Sequence, residues 1–289
     1  MSIKYQKSWQ AILLLAPTLA ACAYFLYLPA VETFRLSMYV TQPGGVETFV
    51  GLDNFRLLFN SEGYRTTAFW SFVFAGVIVV GSLSLSLLIG FLIYRVSVGS
   101  TAYLVVGMLS YGFSFAVAAV AIQFILQPES GLLHALTGWS FDWLTSGPLA
   151  FFVICLATIW KMLGFNLIFI LGAFSGIPDN IGDAARLDGV GGFKMLTRVY
   201  IPLIAPTLAF LVIMNTVYSF FLPYPVIDIM TSGSPETTHL LIYELYETGI
   251  AQRNTGLAAA QSIVLFVIVG ALMVGQLVLS EQSSHVGGA

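Results

Sequence analysis

The chain has 289 residues, 58% of them hydrophobic and 9% charged, with a mean hydropathy of +0.89. A soluble domain carries about 25% charged residues, so this apolar surface calls for lipid rather than water as its solvent. The net charge of −3 excludes nucleic-acid binding driven by bulk charge, and Cys22 and Cys155, both inside apolar runs, read as small hydrophobes rather than a disulfide.

A helix needs ~20 mostly apolar residues to cross the hydrocarbon layer. In chain order, six stretches qualify: about 11–31, 67–94, 102–126, 149–173, 201–222 and 256–279. The first raises a second reading, because Leu19-Ala20-Ala21-Cys22 behind two lysines has the look of a lipoprotein cleavage box. The apolar run continues past Cys22 through Leu28, beyond the length of a signal-peptide core, which favours a retained helix. The fourth stretch holds the lone intramembrane charge, Lys161. After the sixth, the polar tail 281–289 is expected to be disordered. The predicted fold is all-α: one polytopic transmembrane domain over 1–289. His134, His239 and His285 have no metal-ligand spacing, so no metal site is expected.

Six spans put both termini on one side. Lys4, Lys7, Arg95, Arg186, Lys194 and Arg198 then face Arg35, Arg56, Arg65 and Arg253 across the membrane, six against four. The positive-inside rule places the termini and the 176–200 link in the cytoplasm.

That link is charged and glycine-punctuated between two apolar runs. Ile177-Pro178-Asp179 reads as a helix start, with an acid near the positive end of the dipole. Ile177, Ile181, Ala184 and Ala185 recur at helical spacing, and Gly189 suits a left-handed helix end. A second amphipathic piece, 193–200, leads to the fifth span at Ile201-Pro202. Such a segment is either a plain connector or a lever through which a soluble partner moves spans four and five.

The order Asp183-Ala184-Ala185, Gly189, Val199, Ile201, Pro202 resembles the cytoplasmic loop of ABC importer permeases, written EAA, three residues, G, nine residues, I, one residue, LP. The spacing agrees throughout; Asp replaces Glu, Val replaces Ile, and Ile replaces Leu. The resemblance implies a type I ABC importer permease fold. It also implies that Asp183, Ala184, Ala185, Arg186, Gly189 and Pro202 couple this chain to a separate ATPase subunit. Leu14-Leu15-Ala16-Pro17, Leu28-Pro29-Ala30 and 49–55 resemble the opening of sugar-type permeases of the maltose-transporter superfamily. The stretches 217–221, 225–228, 231–233, 241–243 and 259–262 resemble the A-type permease of the sn-glycerol-3-phosphate importer. That likeness implies cargo of glycerol 3-phosphate or a glycerophosphodiester and a heterodimer with a related permease. It implies two ATPase subunits, an extracytoplasmic binding protein, and a prokaryotic cytoplasmic membrane. ATP and Mg would sit on the ATPase, since this chain has no G-x-x-x-x-G-K-[ST] loop and needs no cofactor of its own.

Four polar residues are candidates for the cargo path. Lys161 follows Trp160, where similar sugar permeases often carry a basic residue; it reads as a phosphate contact or as a helix-packing cation. Asn166, Asn215 and Tyr218 line the path or hydrogen-bond between helices. Asp228 and Ser232 follow span five outside and are candidates for contact with the binding protein. The rival cargo is an oligosaccharide such as maltose or trehalose. A stand-alone secondary transporter would want carboxylates within spans, and an intramembrane enzyme a nucleophile–base or metal cluster; the sequence offers neither.

Overall fold

The computed structural model describes residues 8–41, 46–96, 99–140 and 142–286, and its chain packs as two units. Lys4 and Lys7, which bear on the orientation, lie outside the described residues.

The first unit comprises 1–62 and 245–266. Its N-terminal helix runs through Ser8–Cys22, a π turn at Ala23–Tyr27, and Leu28–Leu36. The stretch Ile12–Leu36 is long and apolar enough to cross a membrane, and none of its most apolar window is buried. Leucine and phenylalanine side chains so displayed need an apolar surrounding, from lipid or from a partner's apolar face. A short antiparallel hairpin follows, Tyr39–Thr41 against Glu47–Phe49, pairing Tyr39 with Phe49. This hairpin is an addition to the expected all-helical chain; its residues are mostly β-branched or aromatic. Asn54 ties it to the next helix, donating to the carbonyls of Ser37 (2.8 Å) and Tyr39 (3.0 Å). Gly256 approaches the Tyr39 carbonyl so closely that a Cβ there would lie 1.9 Å from its oxygen.

The second unit comprises 63–244 and 267–289. The Gly147–Ser175 helix is its centre, with 72% of its apolar window buried. Glycines allow close packing against it. A Cβ on Gly107 would meet Leu167 at 2.8 Å, and one on Gly164 would meet the Tyr111 backbone at 2.9 Å. A cluster of Leu83, Phe91, Ile170, Phe174, Tyr200 and Leu211 joins the Glu62–Arg95, Gly147–Ser175 and Ala205–Phe221 helices.

Among the described residues, four helices are long and apolar enough to span, and two bent pairs bring the number to as many as six if each pair is one span. The runs expected as spans at 102–126 and 201–222 are each broken by a bend. The first pair, Thr101–Gly112 and Phe115–Leu126, bends by 103°. Phe113 and Ser114 are extended there, and the Ser114 hydroxyl accepts the Val117 N–H (3.2 Å), starting a new helix inside the apolar run. The second pair, Phe193–Leu203 and Ala205–Phe221, bends by 82° at Ile204. Pro206 has no amide hydrogen to donate to the Pro202 carbonyl, and it sits in a new first turn, where none is needed. Pro202 therefore belongs to the helix before the bend rather than to the mouth of the spanning one.

The last helix, Thr255–Val286, also corrects an expectation. The tail is helical to Val286, because 280–286 contains no glycine or proline to end it. Residues 287–289 of that predicted disordered tail are outside the described set.

Candidate functional site

The link after Gly147–Ser175 folds as the short helix Asp179–Leu187. Pro178 caps its start, and Asp179 lies in its first turn. One face is inward. Gly182 is buried, and a Cβ there would stand 3.3 Å from the Tyr200 hydroxyl. Ile177, Ala185 and Val190 pack on the cluster that holds Phe174, Tyr200 and Ile204. The helix ends at Gly189, whose φ is +75°. The Gly189 N–H donates to the Arg186 carbonyl (3.0 Å) and the Val190 N–H to the Ala185 carbonyl (2.9 Å), the paired bonds of a left-handed glycine cap.

The opposite face is open. Asp183, Ala184 and Arg186 are exposed, and Arg186 donates to Asp183 at 3.0 Å. Leu187 is 89% exposed. Sequence reasoning passed over Leu187, although it lies off the Ile181/Ala185 stripe and so has no inward position to fill. Beside the helix, Gly172, Gly176, Ile181, Leu203 and Pro206 line a cleft of about 310 Å³.

Lys161 is only 4% exposed. Its ammonium donates to the Tyr111 carbonyl (3.3 Å) and stands 5.2 Å from the Tyr111 ring and 5.0 Å from the Phe115 ring. Tyr111 is in the last turn before the 103° bend, where helix carbonyls lose their partners and a cation is favoured. Trp160 stacks on Phe113 within the bend, at 6.4 Å between ring centres. The Trp160-Lys161 pair thus clamps the break in the third span.

Asn166 and Asn215 are fully buried. The Asn215 amide donates to Asn166 Oδ1 (2.8 Å) and to the Leu211 carbonyl (2.7 Å), while Asn166 and Ser82 donate to Asn215 Oδ1 (3.3 and 3.0 Å). Three spanning helices meet at this polar knot. Tyr218, one turn on, is half-buried with its ring 5.3 Å from that of Phe165.

Asp228 is exposed on the Tyr224–Met230 helix. Ser232 is exposed in the turn after it, with φ +50°, and its hydroxyl donates to the Asp228 carbonyl (3.1 Å). The structure therefore brings these two residues together. His239, which sequence reasoning left isolated, pairs with Glu244 at 2.5 Å.

The family described as binding-protein-dependent transport system inner membrane component matches residues 82–280. The sn-glycerol-3-phosphate transport system permease protein UgpA of Yersinia pseudotuberculosis serotype I (strain IP32953) is 36% identical over 274 residues, covering 93% of each chain. UgpA of Escherichia coli O6:K15:H31 (strain 536 / UPEC) is 37% identical over 279 residues, covering 94% of each. A chain of a bacterial alginate ABC transporter, crystallised with an alginate pentasaccharide-bound periplasmic protein, shares the fold. Its TM-score is 0.84 at 22% identity, over 95% of this chain and 94% of that one. The motif spacing, the six potential spans and these matches converge: the chain belongs to the binding-protein-dependent transport system inner membrane components, as the multi-pass permease subunit of an ABC importer that works with a partner permease, an ATPase and a binding protein.

Proposed function

We propose that this permease imports sn-glycerol 3-phosphate or a glycerophosphodiester, as one half of a heterodimer served by two ATPase subunits and an extracytoplasmic binding protein. The UgpA likeness, at 36–37% identity across nearly the whole chain, supports that cargo. In this reading both termini and the 176–200 link are cytoplasmic, and Asp228 and Ser232 meet the loaded binding protein outside.

The observation that carries the mechanism is the two-faced Asp179–Leu187 helix. Asp183, Ala184, Arg186 and Leu187 are open to a partner, whereas Ala185 is seated on the cluster of Phe174, Tyr200 and Ile204. Closure of the ATPase pair on ATP pushes the open face. The seated face delivers that push to the end of Gly147–Ser175 and to the bent fifth span. Gly189 holds the helix end in place, and Pro202 precedes the bend that takes up the motion. The cargo path opens outward, receives cargo, and resets after hydrolysis. Lys161, Asn166, Asn215 and Tyr218 shape that path, the first three by fixing the helices around it. All chemistry on ATP and Mg takes place on the ATPase.

The test is reconstitution of the complete importer. Binding-protein-stimulated ATP turnover is expected with glycerol 3-phosphate or glycerophosphocholine and not with maltose or trehalose; the reverse pattern overturns the cargo assignment. Asp183→Lys is expected to abolish stimulation while the chain still inserts into the membrane. Full stimulation in that variant overturns the coupling role.

A further inference from the structure

We propose that the outer face of the Phe193–Leu203 helix is a binding surface for the headgroups of anionic phospholipid in the bilayer around the permease. The inference rests on the reading of this link as cytoplasmic. The helix bends by 82° from the spanning Ala205–Phe221 helix, so it runs along the membrane surface where the other crosses. Its burial repeats about every four residues, in step with its π-helical middle, Leu196–Tyr200. Met195, Leu196, Tyr200 and Ile204 are buried in the hydrophobic cluster. Lys194 and Arg198, four residues apart, share the exposed face.

Three observations favour lipid on that face. Neither Lys194 nor Arg198 makes an ion pair among the described residues, whereas Arg186 in the same link is paired with Asp183. Two like charges at this spacing repel unless an anion lies over both. Phe193 beside them is 66% exposed, and Leu203 at the far end is also exposed. Cations flanked by outward apolar groups on a surface helix suit the boundary between headgroups and acyl chains. The acids of the link, Asp179, Asp183 and Asp188, all precede Gly189 and outnumber Arg186 among them, while Lys194 and Arg198 follow it with no acid. A negatively charged leaflet attracts the second piece and leaves the acidic helix free for its protein partner.

The experiment embeds the complete importer in nanodiscs of phosphatidylcholine alone or of phosphatidylcholine with phosphatidylglycerol at three to one. Retained phosphatidylglycerol is counted by native mass spectrometry at low salt. At about fivefold per cation, Lys194→Gln/Arg198→Gln is expected to weaken retention roughly 30-fold. Lys194→Arg/Arg198→Lys, which keeps both charges, is expected to restore it. ATPase co-purification is expected to stay unchanged in both. Equal lipid retention by the wild type and the Gln variant overturns the proposal. So does loss of the ATPase without a change in lipid, which assigns this face to a protein. Failure of the wild-type chain to bring down any ATPase is a separate result and tells against the coupling reading instead.

Discussion

Single side chains in this permease act mainly by holding helices in register. The Asn166–Asn215 amide pair is fully buried and satisfied by both its members, Ser82 and a backbone carbonyl. Interhelical hydrogen bonds in membranes are worth about 0.6 kcal/mol and up to about 1.7. Asn215→Leu should therefore destabilise the purified complex by roughly 1–2 kcal/mol, read as a lowered thermal midpoint, because it also strands Asn166. Asn166→Leu/Asn215→Leu should cost less than the two single changes added together; strict additivity would show that the amides are not coupled. Lys161 lies on the same helix, little more than one turn before Asn166. Its partners are the Tyr111 carbonyl and two rings, all bordering the bend. Lys161→Met should cost about 1 kcal/mol of stability and slow transport of phosphorylated and uncharged cargo alike. A rise in KM confined to the phosphorylated cargo would instead make Lys161 a cargo contact.

At the scale of elements, the sequence told more about where helices lie than about how they bend. Long apolar runs announce spans because lipid tolerates little else, so the cores of Glu62–Arg95 and Gly147–Ser175 were legible. Bends were not, because hydropathy is blind to a capping serine or a proline that is itself compatible with an apolar run. Ser114 and Pro206 were the available signals. The Asp179–Leu187 helix was legible because three of its cues agreed: the acid at its start, the inward stripe and the glycine at its end. The polar knot was visible only as separate asparagines, since their pairing spans 49 residues and depends on packing. Gly189 offers a direct test. Its φ of +75° strains any residue with a Cβ. Gly189→Ala should cost roughly 1 kcal/mol and should reduce binding-protein-stimulated ATP turnover more than ATPase co-purification. Unchanged turnover would mean that the angle of the helix end does not matter. Leu187→Asp should weaken co-purification outright, because a side chain 89% exposed here has no packing role to lose.

For the whole molecule, the direction of import is a question of which face meets which compartment. The coupling helix and the Asp228–Ser232 turn belong on opposite sides of the membrane if an ATPase drives the first and a binding protein loads at the second. The charge balance of six basic residues against four points the same way. The arrangement is open to labelling, since both native cysteines can be replaced: Cys155 is buried and Cys22 half-buried, and neither forms a disulfide. In a Cys22→Ser/Cys155→Ser background, Leu187→Cys should react with a membrane-impermeant maleimide in inside-out vesicles and not in right-side-out ones. Ser232→Cys should show the reverse. Both probes sit on exposed side chains, so in vesicles made without the ATPase and the binding protein access is governed by the membrane and not by the fold. Reaction of both from the same side would rule out a crossing between them: the bent pair Phe193–Leu203 and Ala205–Phe221 would then enter and leave by the same face, and the Asp179–Leu187 helix could not relay a cytoplasmic push to a gate opening outward.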